Sequence, residues 1–466
     1  MKPVVLWTDA VLFLQFIGAL LYGWRVARTP HLAATWSQTF KDPAGAAAAT
    51  VLAVFVALGL ADSVHFRLGL ASAPGEAAAY SPVTTSLLDR LLVHQLEGAE
   101  TSYSQPLATH AFERRTQVTE QGAARDYPRL KHAARDLTDP PAQWRADVFA
   151  RAAIGIAAGA AAAACLAALA AGWLARRSGI GIVAAARQIA SGRTAYPLRT
   201  VLATAAAVCV LAGLIASLAA EYHVFGTDRV GNDLLAVVLK SVRTALVIGT
   251  MTTLVTLPIA AGLGLAAGYL GGVVDEAIQY VVTVINSIPY VLLIAAGVLI
   301  LIVYLDTHPD QFQTAAERTD ARLFFLCVIL GMTTWTDLCR LIRGEVLKLR
   351  ELDFVQAAHA FGVPAVRIMR VHLLPNVMHV ILINIVINFS SLVLAEAILS
   401  YVGVGVDPSM ASFGTLINTA RFELGRQPVI WWTLATSFSF MFMLVLSANV
   451  FADAVRDAFD PRAARR

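Results

Sequence analysis

Nine stretches of this chain stay apolar for about 20 residues or more, the length a helix needs to cross the hydrocarbon of a bilayer. They fall at residues 4–24, 46–68, 149–174, 201–220, 245–270, 278–305, 323–342, 377–404 and 429–451. Only 15% of the residues are charged, against about a quarter in soluble domains. The expectation is an all-α polytopic membrane protein with about nine transmembrane helices.

Lysine and arginine in the short connections set the orientation of such a chain. Arg176, Arg177, Arg187, Arg193 and Arg199 share one connection that holds no acid, which places it in the cytoplasm. Arg340, Arg343, Lys348, Arg350, Arg367 and Arg370 lie an even number of crossings away, on the same side. The tail residues Arg456, Arg462, Arg465 and Arg466 agree, and the acid-rich stretch 306–320 falls opposite. The N-terminus is then outside and the C-terminus inside, in a multi-pass membrane protein. The net charge of +4 is too small to announce a nucleic-acid partner. The first apolar run lacks the basic lead and small-residue cleavage site of a signal peptide.

Between the second and third runs lies a polar insert, 69–148, of domain-like length. It reads as an extracytoplasmic, mainly helical cap whose size is marginal for an independent core. Cys165, Cys209, Cys327 and Cys339 sit in or beside apolar runs without metal-ligand spacing, as unpaired packing residues. His223, His308, His359, His372 and His379 are too scattered for a metal site. No catalytic constellation, Walker sequence or HExxH is visible, so the chain reads as neither an enzyme nor a holder of a metal or cofactor.

One polar, helix-forming segment, 351–376, is wedged between two of the long runs: ELDFVQAAHAFGVPAVRIMRVHLLPN. It is longer than a connector needs to be. Ala357, Ala358 and Gly362 are small residues that let another surface approach closely. Phe354, Val355 and Phe361 are apolar side chains that a bare loop has no reason to expose. Pro375 suits the first turn of the next helix.

The order Ala-Ala, three residues, Gly, then nearly a dozen residues and Leu-Pro resembles the "EAA loop" of ABC-importer permeases. GTDRVGNDLL (226–235), GLAAGYLGG (264–272), LCRLIRGE (338–345), AEAILSYVGVGVDP (395–408) and DAVRDAFDPR (453–462) are similar, in the same order, to the permeases of dipeptide, oligopeptide and nickel importers. The family's leading Glu of the loop is Gln356 here, and its usual Arg of the first fragment is Asn232. The resemblance implies a six-helix permease core over 201–466, preceded by a three-span extension over 1–200 that the usual permease lacks. It implies a coupling helix over 351–375 that sits in a cleft of a cytoplasmic ATPase, with Phe354, Gln356, Ala357, Ala358, Gly362, His372 and Pro375 at the contact. The implied partners are a second homologous permease, two cytoplasmic ATPase domains that hold ATP and Mg, and an extracytoplasmic solute-binding protein. The implied cargo is a di- or oligopeptide, with nickel the alternative inside the family.

Polar residues inside a span are tolerated where they meet a cavity or another helix. Asn286, Ser287, Asn384 and Asn388 are therefore candidates for the translocation path. Glu396 joins them, as a costly intramembrane charge with a structural or gating role. Asp337 and Arg340, three residues apart, read as a pair on one helix face. The glycines 264, 268, 271 and 272 read as helix-packing positions. A second function stands beside transport. RRSGIGIVAAARQIASGR (176–193) is similar to the HAMP-type linker of bacterial receptors, which would make the N-terminal region a sensory or scaffold module that regulates or stabilises a transporter.

Overall fold

The computed structural model describes residues 2–69, 80–119, 122–312 and 314–459. Arg462, Arg465 and Arg466 of the tail lie outside the described residues. The chain opens with β1 (Lys2–Val4), α1 (Trp7–Arg28), α2 (Pro30–Lys41) and α3 (Pro43–Asp62). The insert contributes β2 (His65–Gly69), β3 (Tyr80–Ser86), α4 (Leu87–Leu91), α5 (Val93–Glu97), β4 (Arg115–Thr119) and β5 (Gly122–Asp126). There follow α6 (Pro140–Ser178), α7 (Ile182–Ala190), α8 (Leu198–Ala219), α9 (Leu234–Leu270), α10 (Gly272–Ser287) and α11 (Tyr290–Thr307). The last elements are α12 (Ala315–Arg350), α13 (Asp353–Ala360), α14 (Ala365–Ile368), α15 (Leu374–Val402), α16 (Phe413–Glu423) and α17 (Trp432–Phe459).

Among the described residues nine helical segments are long and apolar enough to cross a membrane: α1, α3, α6, α8, α9, α11, α12, α14 running into α15, and α17. The fold is all-α and polytopic, as the nine apolar runs require. The run 278–305 is not one helix, however. Pro289 has no N–H to give, and Ile288 before it is extended (φ −94°, ψ 130°), so α10 stops and α11 starts afresh.

The insert departs from the helical cap expected. Its two short helices are joined by an antiparallel sheet in the order β1-β2-β3 and by the β4-β5 hairpin. The sheet depends on a long-range pairing, Lys2 opposite Arg67 and Val4 opposite His65, which no local pattern announces. That pairing also puts the N-terminus and the insert at the same end of the bundle.

The centre of the bundle is the α9–α12 pair. A Cβ on Gly264 would lie 2.9 Å from the Ile342 Cβ, one on Gly268 2.7 Å from the Val346 Cβ, and one on Gly331 2.6 Å from the Val255 Cβ. These three glycines let the helices approach closely where lipid supplies no hydrophobic push. Gly271 and Gly272 act through the backbone instead. Both have positive φ (65° and 52°) and turn the chain between α9 and α10.

The N-terminal spans are built into this core. α3 packs between α9 and α17, with Gly45 against Ala454 and Gly59 against Leu246. α8, which the sequence made the first permease span, packs instead on α6 and α3. A Cβ on Gly155 of α6 would lie 2.5 Å from the Gly213 carbonyl of α8. The boundary expected at residue 200 thus marks no gap in the packing.

Arg243 of α9, 5% exposed, fixes α1 in place. Its guanidinium donates to Asp9 Oδ1 from Nη2 (2.6 Å) and from Nε (3.0 Å), and to Ser63 Oγ (3.2 Å) and Thr8 Oγ1 (2.9 Å). Asp320 of α12 lies 3.4 Å from Nη2 and accepts the Thr8 N–H at 3.0 Å. His65 Nδ1 meets the second Asp9 oxygen at 2.8 Å. Removing one partner of a buried ion pair strands the other, at a cost of about 3–5 kcal/mol. Arg243→Met should therefore lower the thermal unfolding midpoint of the detergent-solubilised protein clearly, and Arg243→Lys should lower it less. An unchanged midpoint in Arg243→Met would show that the cluster does not hold α1.

Candidate functional site

At the end of the bundle away from the insert, α12 turns into the short helix α13. Val355 is the inward residue of α13, fully buried in one cluster with Val346 and Ile342 of α12 and with Ile368, Leu373 and Val377. The opposite face is open: Phe354 is 43% exposed, and Gln356 and Ala357 are exposed. Ala358 is partly buried. Gln356 Nε2 donates to the Glu351 carbonyl (3.2 Å).

The helix expected across 351–375 is broken after Ala360. The Val363 N–H bonds the Ala358 carbonyl (3.1 Å) and the Gly362 N–H bonds the His359 carbonyl (2.9 Å), which together make a Schellman stop. Gly362 has φ +74° with open space around it, so it is the stop signal of the helix rather than a close-approach point within it. Phe361 beside it is 87% exposed. A wide turn over Met369–Leu373 then leads into α15, with Pro375 in its first turn. His372 is partly buried, its ring 6.3 Å from that of Phe354. All seven coupling candidates thus belong to one hairpin that presents two aromatic side chains to its surroundings.

Within the bundle lies a cavity of about 420 Å³ between α9, α11, α12 and α15. Its polar lining comes from Thr253, Thr256, Tyr290, Thr334, Asp337, Asn384, Asn388 and Ser391. Asn384 and Asn388 are there as the sequence suggested, one turn apart, with the Asn388 amide donating to Asn384 Oδ1. The other three candidates lie elsewhere. Asn286 accepts from Thr336 Oγ1 (2.9 Å), and Ser287 donates to the Val284 carbonyl (2.7 Å), both outside the cavity lining. Glu396 is buried on the far side of α15, where Ser400 Oγ donates to it (2.7 Å) and Gly414 at the start of α16 leaves it room.

Asp337 was not expected in the cavity. Among the described residues it has no ion-pair partner, and the pairing with Arg340 read from the sequence is not formed. The arginine one turn on, Arg343, is the one engaged: it binds Asp275 of α10 through two bonds of 2.6 Å.

The opposite end of the bundle is closed by the insert. Gly226 and Gly231 of the GTDRVGNDLL segment have φ +78° and +90°, and a Cβ on either would strike the insert's backbone at Ser104 or Glu100. Asp228 accepts from the Val230 and Asn232 N–H groups (2.9 and 2.8 Å) and from the Asn232 side-chain amide (3.0 Å), so Asn232 closes this loop on itself. Thr227 Oγ1 donates to the Ser102 carbonyl (2.9 Å) and the Trp432 indole donates to the Thr227 carbonyl (3.1 Å).

His223 lies buried between Asp233 (2.8 Å) and Glu100 (3.8 Å), and the Glu100 carboxylate also accepts the N–H groups of His132 (2.6 Å) and Lys131 (3.1 Å). Burial alone would lower the imidazole pKa, but the Asp233 hydrogen bond, then Glu100, outweigh it and raise it to about 9.

Nine membrane-length helices among the described residues, a cavity with polar side chains in a largely apolar wall, and a hairpin exposing two aromatics are features of a multi-pass membrane transport subunit. The family described as "Binding-protein-dependent transport system inner membrane component" matches residues 260–465. The oligopeptide transport system permease protein OppC of Mycobacterium tuberculosis is 31% identical over 239 residues, 51% of this chain and 76% of that protein. The dipeptide transport system permease protein DppC of Lactococcus lactis is 32% identical over 243 residues, 52% of this chain and 65% of that protein. The OppC protein of Escherichia coli is 28% identical over 240 residues, 52% of this chain and 72% of that protein. The chain belongs to the binding-protein-dependent transport family, as the permease subunit of an ABC importer. These similarities support transport as its function and do not favour the sensory or scaffold alternative.

The raised pKa of His223 fixes a sign. Its contribution to docking the insert is complete below its unfolded value near 6.5 and is lost as the pH rises through about 9. Limited proteolysis of the insert should therefore accelerate between pH 8 and 10 by roughly tenfold or more. His223→Gln should remove that step and leave cleavage fast at pH 7. A pH-independent cleavage rate in the parent protein would contradict the assignment.

Proposed function

We propose that this permease carries di- or oligopeptides inward, paired with a second, homologous permease and driven by two cytoplasmic ATPase domains. The observation that carries the reading is the hairpin at α13, where Phe354 and Phe361 are exposed beside a buried Val355 anchor. Exposed aromatics on a short, well-anchored helix fit a protein cleft and serve no purpose in water. The peptide cargo is supported by the named activities of the relatives at 31% and 32% identity.

A cavity walled by four helices of one chain is half of a path, and a second permease supplies the other half. ATP and Mg belong to the ATPase subunits, with no cofactor on this chain. The arginine-rich connections put the α13 hairpin in the cytoplasm, with the N-terminus and the insert outside. A solute-binding protein then delivers cargo to a face that the insert partly covers. The coupling candidates divide by position: Phe354, Gln356 and Ala357 meet the ATPase, Ala358 packs on the cluster around Val355, and Gly362, His372 and Pro375 hold the hairpin's shape.

Replacing Phe361 and Phe354 by Ser should leave the protein in the membrane at its normal level. Loss of an aromatic anchor costs about 2 kcal/mol or more. Co-purification of the ATPase subunits should fall by roughly thirtyfold and transport should be lost. A double variant that retains its ATPases and transports normally would refute the docking role.

A further inference from the structure

The cavity wall carries a chemical bias that the permease reading does not require. Thr253, Thr256 and Thr334 each donate their hydroxyl hydrogen to a carbonyl of their own helix: Gly249 (2.7 Å), Thr252 (3.0 Å) and Leu330 (2.8 Å). With its hydrogen engaged, Thr253 keeps only lone pairs for the cavity, while Thr256 and Thr334 lie 3.3 Å apart and spend part of their capacity on each other. Beside them stands Asp337, exposed in the cavity lining and, among the described residues, without an ion-pair partner. An unpaired carboxylate at membrane depth is costly unless it faces water or receives a cation. The wall thus carries one carboxylate and no basic side chain among its lining residues, with hydroxyl and amide groups that accept or donate, interleaved with Leu257, Leu392 and Ile398.

We propose that Asp337 is a cation subsite of the translocation path, which takes the α-ammonium group of a peptide in transit. The proposal rests on the peptide reading for its cargo, but not for its charge selectivity. The carboxylate accepts ammonium hydrogens, oxygens of the same wall offer further acceptors, and the leucines and isoleucine accept side chains of varied shape. Because Asp337 is exposed, its attraction is weakened by water, so the cation is held briefly and released, as conduction demands.

The test uses the whole importer complex, with Asn388→Cys placed in the same cavity and the complex without that change as background. Two methanethiosulfonate probes are compared, one carrying trimethylammonium and one sulfonate. With Asp337 intact the cationic probe should react about fivefold faster than the anionic one, after correction for their rates with a free thiol. Asp337→Asn should abolish the preference, and Asp337→Glu should keep it. Initial uptake of dialanine should fall about fivefold in Asp337→Asn and recover in Asp337→Glu. Equal probe rates in the parent, or a preference unchanged in Asp337→Asn, would overturn the subsite. Equal rates are also what a basic residue of the second permease would produce by neutralising Asp337, and they overturn the subsite in that case too. A charge preference that follows Asp337 in a complex that moves no dipeptide would uphold the cation site and overturn the peptide reading beneath it.

Discussion

The buried guanidinium of Arg243 is the interaction on which the bundle depends. Away from water a charge must bring its counter-charges with it, and Arg243 draws Asp9 from α1 and Asp320 from α12 to α9. Ser63, just after α3, completes the shell, so four helices meet at one side chain. Because Asp9 and Thr8 begin α1, that helix is pinned at its insert end. Beyond the pin, Leu14, Ile17, Leu20 and Trp24 are exposed, as lipid-facing residues are in a spanning helix. The N-terminal spans are thereby part of the permease body.

From that tie the packing runs the length of the molecule. α12 carries Asp320 at the insert end, Leu338 in the cavity wall, and Val346 against Val355 of α13. The three glycines at the α9–α12 seam make this pair a close-packed unit, and close-packed interiors transmit displacement. Contiguous packed side chains thus connect the α13 hairpin to the cavity wall. At the other end the insert lies on the glycines of the GTDRVGNDLL loop, close to where α9 begins.

The spans were legible because bilayer thickness sets a length that composition reveals. Their limits were not, since α6, α9 and α12 extend well beyond the apolar runs. Arg243 escaped notice for this reason: it lies two residues before the apolar run at 245 and reads as connection. Polarity inside a span was legible, but its facing was not. Asn384 and Asn388 look into the cavity, while Asn286, Ser287 and Glu396, equally polar, look elsewhere. Gly362 was singled out for its small size, whereas its backbone angle is what the hairpin uses. The insert's sheet was hidden because β1 and β2 pair across some sixty residues of sequence.

In the proposed function the two ends of this one helical bundle do different work, the insert end facing outward and the α13 end seated on the ATPase. A membrane-impermeant maleimide tests both parts at once, on Ala99→Cys in the insert and His359→Cys on α13, both exposed positions. Ala99→Cys should label in intact cells. His359→Cys should label only in opened membranes, and far more slowly when the ATPase subunits are bound than after they are stripped away. Labelling of His359→Cys in intact cells, or a rate indifferent to the ATPase, would contradict the account.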